Sequence, residues 1–122
     1  MKQTYETGIL GEIAAETYLC GKCGMICLER RYRTKSAEID LIMQDQDTLV
    51  FVEVKTRSKG KPGDGLQTVN AAKQKRISRG AMLYLMKHHK LNQSVRFDVV
   101  EVNRENIIHI PNAFQPGGMF FR

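Results

Sequence analysis

The chain has no tryptophan, only three prolines and three cysteines, and no apolar run that approaches the length of a membrane span. A spanning helix needs about 20 consecutive, predominantly apolar residues, so a helical membrane protein is excluded. The opening segment MKQTYETGILGE lacks the long hydrophobic stretch of a secretion signal, and a soluble, cytoplasmic protein is expected. Three cysteines cannot all pair, and in a chain without such a signal a disulfide framework is not expected. Cys20 and Cys23 have the two-residue spacing of a zinc knuckle, but no second pair follows, and Cys27 or a distant histidine would have to complete it. Reduced, partly buried thiols at a helix end are expected instead.

Positive charge is what the chain has in excess. Lys and Arg total 19 against 13 Asp and Glu in 122 residues, a length that suits one domain burying roughly two thirds of its unfolded surface. The basic residues cluster in RRYRTK (30 to 35), KTRSKGK (55 to 61) and KQKRISR (73 to 79). Such clusters suit a polyanion, because each phosphate neutralised releases condensed counterions. Arg30, Arg31, Arg33, Lys35, Arg57, Lys59, Lys61, Lys73, Lys75 and Arg76 are therefore the candidate nucleic-acid contacts; the competing reading is a solvated basic surface.

Periodicity predicts a first helix over residues 7 to 20, with Thr7 as N-cap and Leu10, Ile13, Ala14 and Thr17 as its apolar stripe, stopped by Gly21 or Gly24. Strands follow at 25 to 32, 38 to 43 and 48 to 56, then an irregular, flexible basic loop at 57 to 66 whose Gly and Pro content forbids regular structure. A long helix runs from Gln67 or Asn70 to His89, with Ile77, Ala81, Tyr84 and Leu85 on one face and Lys73 one turn earlier on the same face. Strands at 94 to 102 and 106 to 110 precede an irregular tail at 111 to 122. The order α-β-β-β-α-β-β predicts an α/β fold, a mixed sheet of about five strands flanked by helices.

The segment AEIDLIMQDQDTLVFVEVKTR places Glu38, Asp40, Glu53 and Lys55 in an otherwise aliphatic hairpin. A two-residue loop at Gln46 and Asp47 sets Asp45 opposite Thr48, Ile42 opposite Phe51, Ile39 opposite Val54, Asp40 opposite Glu53 and Glu38 opposite Lys55. One face then carries Ile39, Leu41 and Met43 against Val50, Val52 and Val54, all apolar. The other grades from Ile42, Leu49 and Phe51 into all four charges. Opposed side chains have Cβ atoms about 4.5 to 5.5 Å apart, so two carboxylates there repel unless something positive lies between them. Either Glu38 pairs with Lys55 while the other two acids splay into solvent, or Asp40 and Glu53 share a divalent cation and Lys55 reaches the phosphate or water beside it.

Asp40 followed after a dozen residues by Glu53-Val54-Lys55 on a valine-rich strand is similar to the PD-(D/E)XK nuclease superfamily, which includes restriction endonucleases and archaeal Holliday-junction resolvases. More closely, the chain resembles the small bacterial YraN family, endonuclease-like and uncharacterised, through GxxGExxAxxYL at 8 to 19, EIDLI at 38 to 42, LVFVEVKTR at 49 to 57, KQKRI at 73 to 77, RFDVV at 96 to 100 and NAF at 112 to 114. The resemblance implies a single restriction-endonuclease-like domain over 1 to 122, with Asp40 and Glu53 as ligands of Mg²⁺ or Mn²⁺, the Val54 carbonyl as a third, and Lys55 as the catalytic lysine. It adds Glu12 as the acid the first helix supplies, although Glu12 falls off the Leu10, Ile13, Ala14, Thr17 stripe. It also turns Lys73 toward the site.

The expected function is metal-dependent hydrolysis of phosphodiester bonds in DNA, with branched DNA as the substrate the resolvase analogy favours. The alternative is a nucleic-acid-binding protein that keeps the fold without the catalysis. A third reading is an interaction subunit, or a homodimer, joined through the tail MFFR. With four tyrosines and five phenylalanines in all, base stacking is a poor basis for recognition.

Overall fold

A computed structural model describes residues 2–57, 69–104 and 106–115, with residues 2–7 described as backbone alone. Its elements run α1 (Lys2–Gly21), β1 (Ile26–Arg33), β2 (Glu38–Asp45), β3 (Thr48–Thr56), α2 (Ala71–Lys87), β4 (Ser94–Val102) and β5 (Ile107–Phe114), the order expected. The strands form one mixed sheet in chain order, antiparallel except for β3 and β4. That parallel pair follows from α2, since parallel neighbours need a long crossover between them.

Helices lie on both faces, so the central strands are apolar on both sides. On one face Ile77, Ala81, Tyr84 and Leu85 of α2 pack on Ile42, Leu49, Phe51, Phe97 and Val99. On the other, Ala15 and Leu19 of α1, with Met25, cover Leu41, Met43, Val50, Val52 and Val100. The α2 face is the one its periodicity predicts, and Asn70 caps the helix by accepting the Lys73 N–H at 2.9 Å.

The α1 stripe is not the predicted one. Leu10 and Ile13 are 66% and 55% exposed, whereas Ala15 and Leu19 are fully buried and Gly11 lies buried one turn before them. A Cβ at Gly11 would collide with the Thr56 hydroxyl, so small residues rather than large apolar ones define where α1 meets the end of β3. The helix also begins at Lys2 instead of near Thr7, because no residue before Thr7 breaks it.

The hairpin register is as predicted from Asp45 opposite Thr48 to Leu41 opposite Val52. Gln46 takes φ 55°, the left-handed backbone that a tight hairpin turn uses at its first position. Beyond Leu41 the ladder stops, and the Val54 N–H donates to the Asp40 carboxylate at 2.8 Å instead of to backbone. Ile39 therefore leaves the face of Leu41 and joins the α2 cluster.

The tail is regular for longer than expected. β5 continues through Pro111 to Phe114, where an edge strand tolerates a proline. Asn112 at φ 51° accompanies a register shift against β4, and Phe114 stacks on Phe97 with ring centroids 5.0 Å apart. The loop predicted at 57 to 66 lies, apart from Arg57, outside the described residues, as do Lys59, Lys61 and the MFFR segment. Among the described residues no helix is long and apolar enough to cross a membrane.

Candidate functional site

Where β2 and β3 part, a cleft of about 280 Å³ opens, lined by Ala37, Glu38, Asp40, Glu53, Lys73, Arg76 and Ile77. The splay of the strands creates it. Asp40 substitutes its carboxylate for a ladder acceptor, and Glu53 sits on the last buried stretch of β3, its side chain 7% exposed. The first turn of α2 brings Lys73 across the opening, because Lys73 lies one turn before Ile77 on the helix's buried side.

The charges that the sequence gathers on one hairpin end do not pair as expected. Glu38 bonds Arg33 at 2.9 Å, across β1 and β2, rather than Lys55. Lys55 instead reaches Glu53 at 3.3 Å, and Lys73 reaches the same oxygen at 2.5 Å. Lys73 lines the cleft, and Lys55 meets it through Glu53.

The two lysines that share Glu53 divide its charge unequally. Burial pulls both down. For Lys73 the bond to Glu53 and the contact with Lys55 outweigh burial and hold it above the ordinary lysine value. Lys55 is left below that value, first by burial and then by the neighbouring Lys73.

Asp40 is the uncompensated group. Burial, then the charge of Glu53, then that of Glu12, raise its pKa to about 8 against the lowering effects of the Val54 N–H and Lys73. Glu12, the acid that the resemblance assigns to the first helix, lies near enough for its charge to act on Asp40. Its carboxylate is held by Arg31 at 2.8 Å. Among the described residues no three His, Cys, Asp or Glu side chains come together as a ligand set, so Glu12 does not join Asp40 and Glu53 at one point. Hard oxygen donors whose mutual repulsion needs relief still fit a divalent cation, which keeps water in its remaining positions.

The predicted polyanion contacts separate into classes. Arg30 forms two bonds to Glu16, both at 2.7 Å, Arg31 holds Glu12 and Arg33 holds Glu38, so the first cluster is largely neutralised by carboxylates. Lys35, Lys75 and Arg76 are exposed, Arg57 is half-buried, and Arg76 also lines the cleft.

Two carboxylates escaped the sequence reading. Glu101 is buried and stands in register with Lys55 on β4; the signal was a glutamate in step with Val99 on an inward-facing parity. Asp98, fully buried, accepts from Arg96 at 2.9 and 3.1 Å, from the Asn112 N–H at 2.9 Å, and meets His109 Nε2 at 2.7 Å. The side chain of His109 is only 12% exposed.

Comparison with known proteins places this geometry in context. The model of the uncharacterised protein family UPF0102 matches residues 11–102. A UPF0102 protein of Desulforapulum autotrophicum is 44% identical, the alignment covering 93% of this chain and 96% of that protein. One from Clostridioides difficile is 43% identical, covering 89% and 96%, and one from Saccharophagus degradans is 44% identical, covering 93% and 97%. Among solved structures, "Crystal structure of SSO0001" aligns with TM-score 0.45 at 14% identity over 89% of this chain and 51% of that one, a likeness too slight to carry an argument.

Proposed function

The chain belongs to the uncharacterised protein family UPF0102, the group its YraN-like motifs indicated, and from the site it carries we propose a nuclease that hydrolyses DNA phosphodiester bonds with Mg²⁺ or Mn²⁺ as cofactor. One observation carries this reading: half-buried Asp40, held by the Val54 N–H, and buried Glu53 line the same cleft, two carboxylates brought together where β2 and β3 part. A purely structural site gains nothing from two such groups held together, whereas a cation site needs them.

In this reading Asp40 and Glu53 hold the cation, with the Val54 carbonyl as a further ligand. A divalent cation supplies charge to polarise a phosphoryl oxygen and to acidify water. Lys55, whose proton is held less tightly than an ordinary lysine's, orients the attacking water and offsets charge that grows on the phosphorus centre. Lys73 sits across the cleft from Asp40 and meets the phosphate, while Lys75 and Arg76 grip the backbone on either side. Such contacts give affinity without sequence readout, which fits a structure-selective enzyme, branched DNA being the substrate class to try first.

The alternative, a nucleic-acid-binding protein without catalysis, draws on a different observation. Glu53 is already neutralised by two lysines, as in a structural ion-pair cluster. Incubation of the protein with linear and branched DNA and with RNA, in Mg²⁺, Mn²⁺ or EDTA, separates the two. Cleavage that requires metal and falls at least about 100-fold in Asp40→Ala and Lys55→Ala is expected. Salt-sensitive binding with no cleavage of any substrate supports the alternative.

A further inference from the structure

At the far end of α1 from the cleft, a second group of reactive side chains converges from three elements. Cys23 follows the C-terminus of α1, His109 stands on β5 and Asp98 on β4. His109 Nε2 lies 2.7 Å from Asp98 Oδ2, and its Nδ1 lies 3.9 Å from Cys23 Sγ. The Tyr18 ring meets the imidazole edge-on at 6.3 Å and helps fix its plane.

The chemistry of Asp98 decides which ring nitrogen faces the sulfur as a base. Burial alone would raise its pKa, but the bonds from His109, Arg96 and the Asn112 N–H outweigh burial and hold it below the usual carboxylate range. Ionised, it can only accept. Nε2 therefore carries a proton, and Nδ1 is left to take one from the Cys23 thiol.

We propose that Cys23, His109 and Asp98 form a nucleophilic thiol site, in which His109 is the base and Asp98 the positioning residue, and that it reacts with low-molecular-weight disulfides. The arrangement has the logic of a Cys–His pair oriented by a third group. Cys23 Sγ attacks one sulfur of the disulfide RS–SR and forms a new S–S bond as the old one breaks. The proton that His109 took from Cys23 passes to the departing thiolate, leaving a mixed disulfide on Cys23 and one RSH. One thiol is oxidised and half of the small disulfide is reduced, with no other reactant.

The neighbouring cysteines supply an internal contrast. All three are free and half-buried. Cys27 has no imidazole partner, bonds the Glu29 carbonyl at 3.6 Å, and is raised above the ordinary thiol range by burial and then by Glu16.

The test uses the intact protein with oxidised glutathione at neutral pH, the rate at each cysteine being read by fragment mass spectrometry and normalised to free cysteine in the same solvent. Cys23 is expected to react about fivefold faster than Cys20 or Cys27, and about threefold faster in the folded protein than in urea. Folding otherwise shields a thiol, so acceleration on folding is not what a structural cysteine would give. His109→Gln is expected to remove the acceleration. A Cys23 rate that does not exceed its rate in urea, or that His109→Gln leaves unchanged, would overturn the proposal. Should that variant not fold, the folded-to-unfolded ratio of the wild type decides alone.

Discussion

Asp98 on β4 is fully buried and Asp40 on β2 half-buried, and the protein treats them in opposite ways. Asp98 receives donors from Arg96, His109 and the Asn112 backbone, and its affinity for a proton falls. Asp40 receives one backbone N–H and faces two other carboxylates, and its affinity rises. Asp98, its acceptor sites answered by protein donors, has no need of a cation. A carboxylate left short of partners beside like charges is where, in the proposed function, a cation would be held. The difference teaches where the fold ends its own bonding and where it leaves room for a ligand.

The largest effect should come from breaking the satisfied end. Asp98→Ala removes a fully buried acceptor from Arg96, His109 and the Asn112 N–H while Arg96 keeps Asp45 at 3.2 Å, and losing one partner of a buried ion pair costs up to about 3 to 5 kcal/mol; urea unfolding would measure it. A loss below about 1 kcal/mol would mean that the Asp45 pair and water suffice for Arg96.

Asp40→Asn should act in the opposite direction. Its folded pKa lies above the unfolded value, so the stability it contributes is fully present below about pH 4 and is lost as pH rises toward 8. Asparagine never ionises and can still accept the Val54 N–H. In EDTA the variant should match the wild type near pH 4 and exceed it by on the order of 1 to 3 kcal/mol at pH 8. Asp98 gives the reverse slope, its depressed pKa making a contribution that is present above about pH 4 and fades as pH falls. Thermal melts across that range would separate the two aspartates by sign.

The smallest effects distinguish neutralised from available cations. Arg30→Ala removes an exposed pair with Glu16 and should leave stability nearly unchanged, with less than a twofold change in DNA affinity. Lys75→Ala and Arg76→Ala, which remove exposed charges without an ion pair among the described residues, should each weaken binding several-fold and flatten its salt dependence. Equal losses from Arg30 and Lys75 would place the nucleic acid across β1 as well.

Much of this architecture is written in local pattern. The strands β2, β3 and β4 announce themselves as valine- and isoleucine-rich runs bounded by polar turns, and the turn at Gln46 and Asp47 fixes the hairpin register as far as Leu41 and Val52. What lies past Leu41 was not legible, because the register rule assumes backbone pairing and the Asp40 side chain replaces it. The pairing of Glu53 with Lys73 required the crossover helix to be placed in space. On α1 the apolar pattern pointed to the wrong face, since packing there is set by the smallness of Gly11 and Ala15 rather than by the hydrophobicity of Leu10 and Ile13. His109 was hidden for a related reason: alternation with Ile108 and Ile110 does not say which side of an edge strand is covered.

The central claim, that Asp40 and Glu53 form a cation site, is tested most directly by calorimetric titration of Mg²⁺ into the wild type and Asp40→Asn near pH 7. The account predicts binding to the wild type with release of a proton, seen as a heat that varies with the buffer's ionisation enthalpy, because Asp40 must give up its proton to become a ligand. It predicts weak or no binding to the variant. Equal binding by both proteins, or none by either, would contradict it.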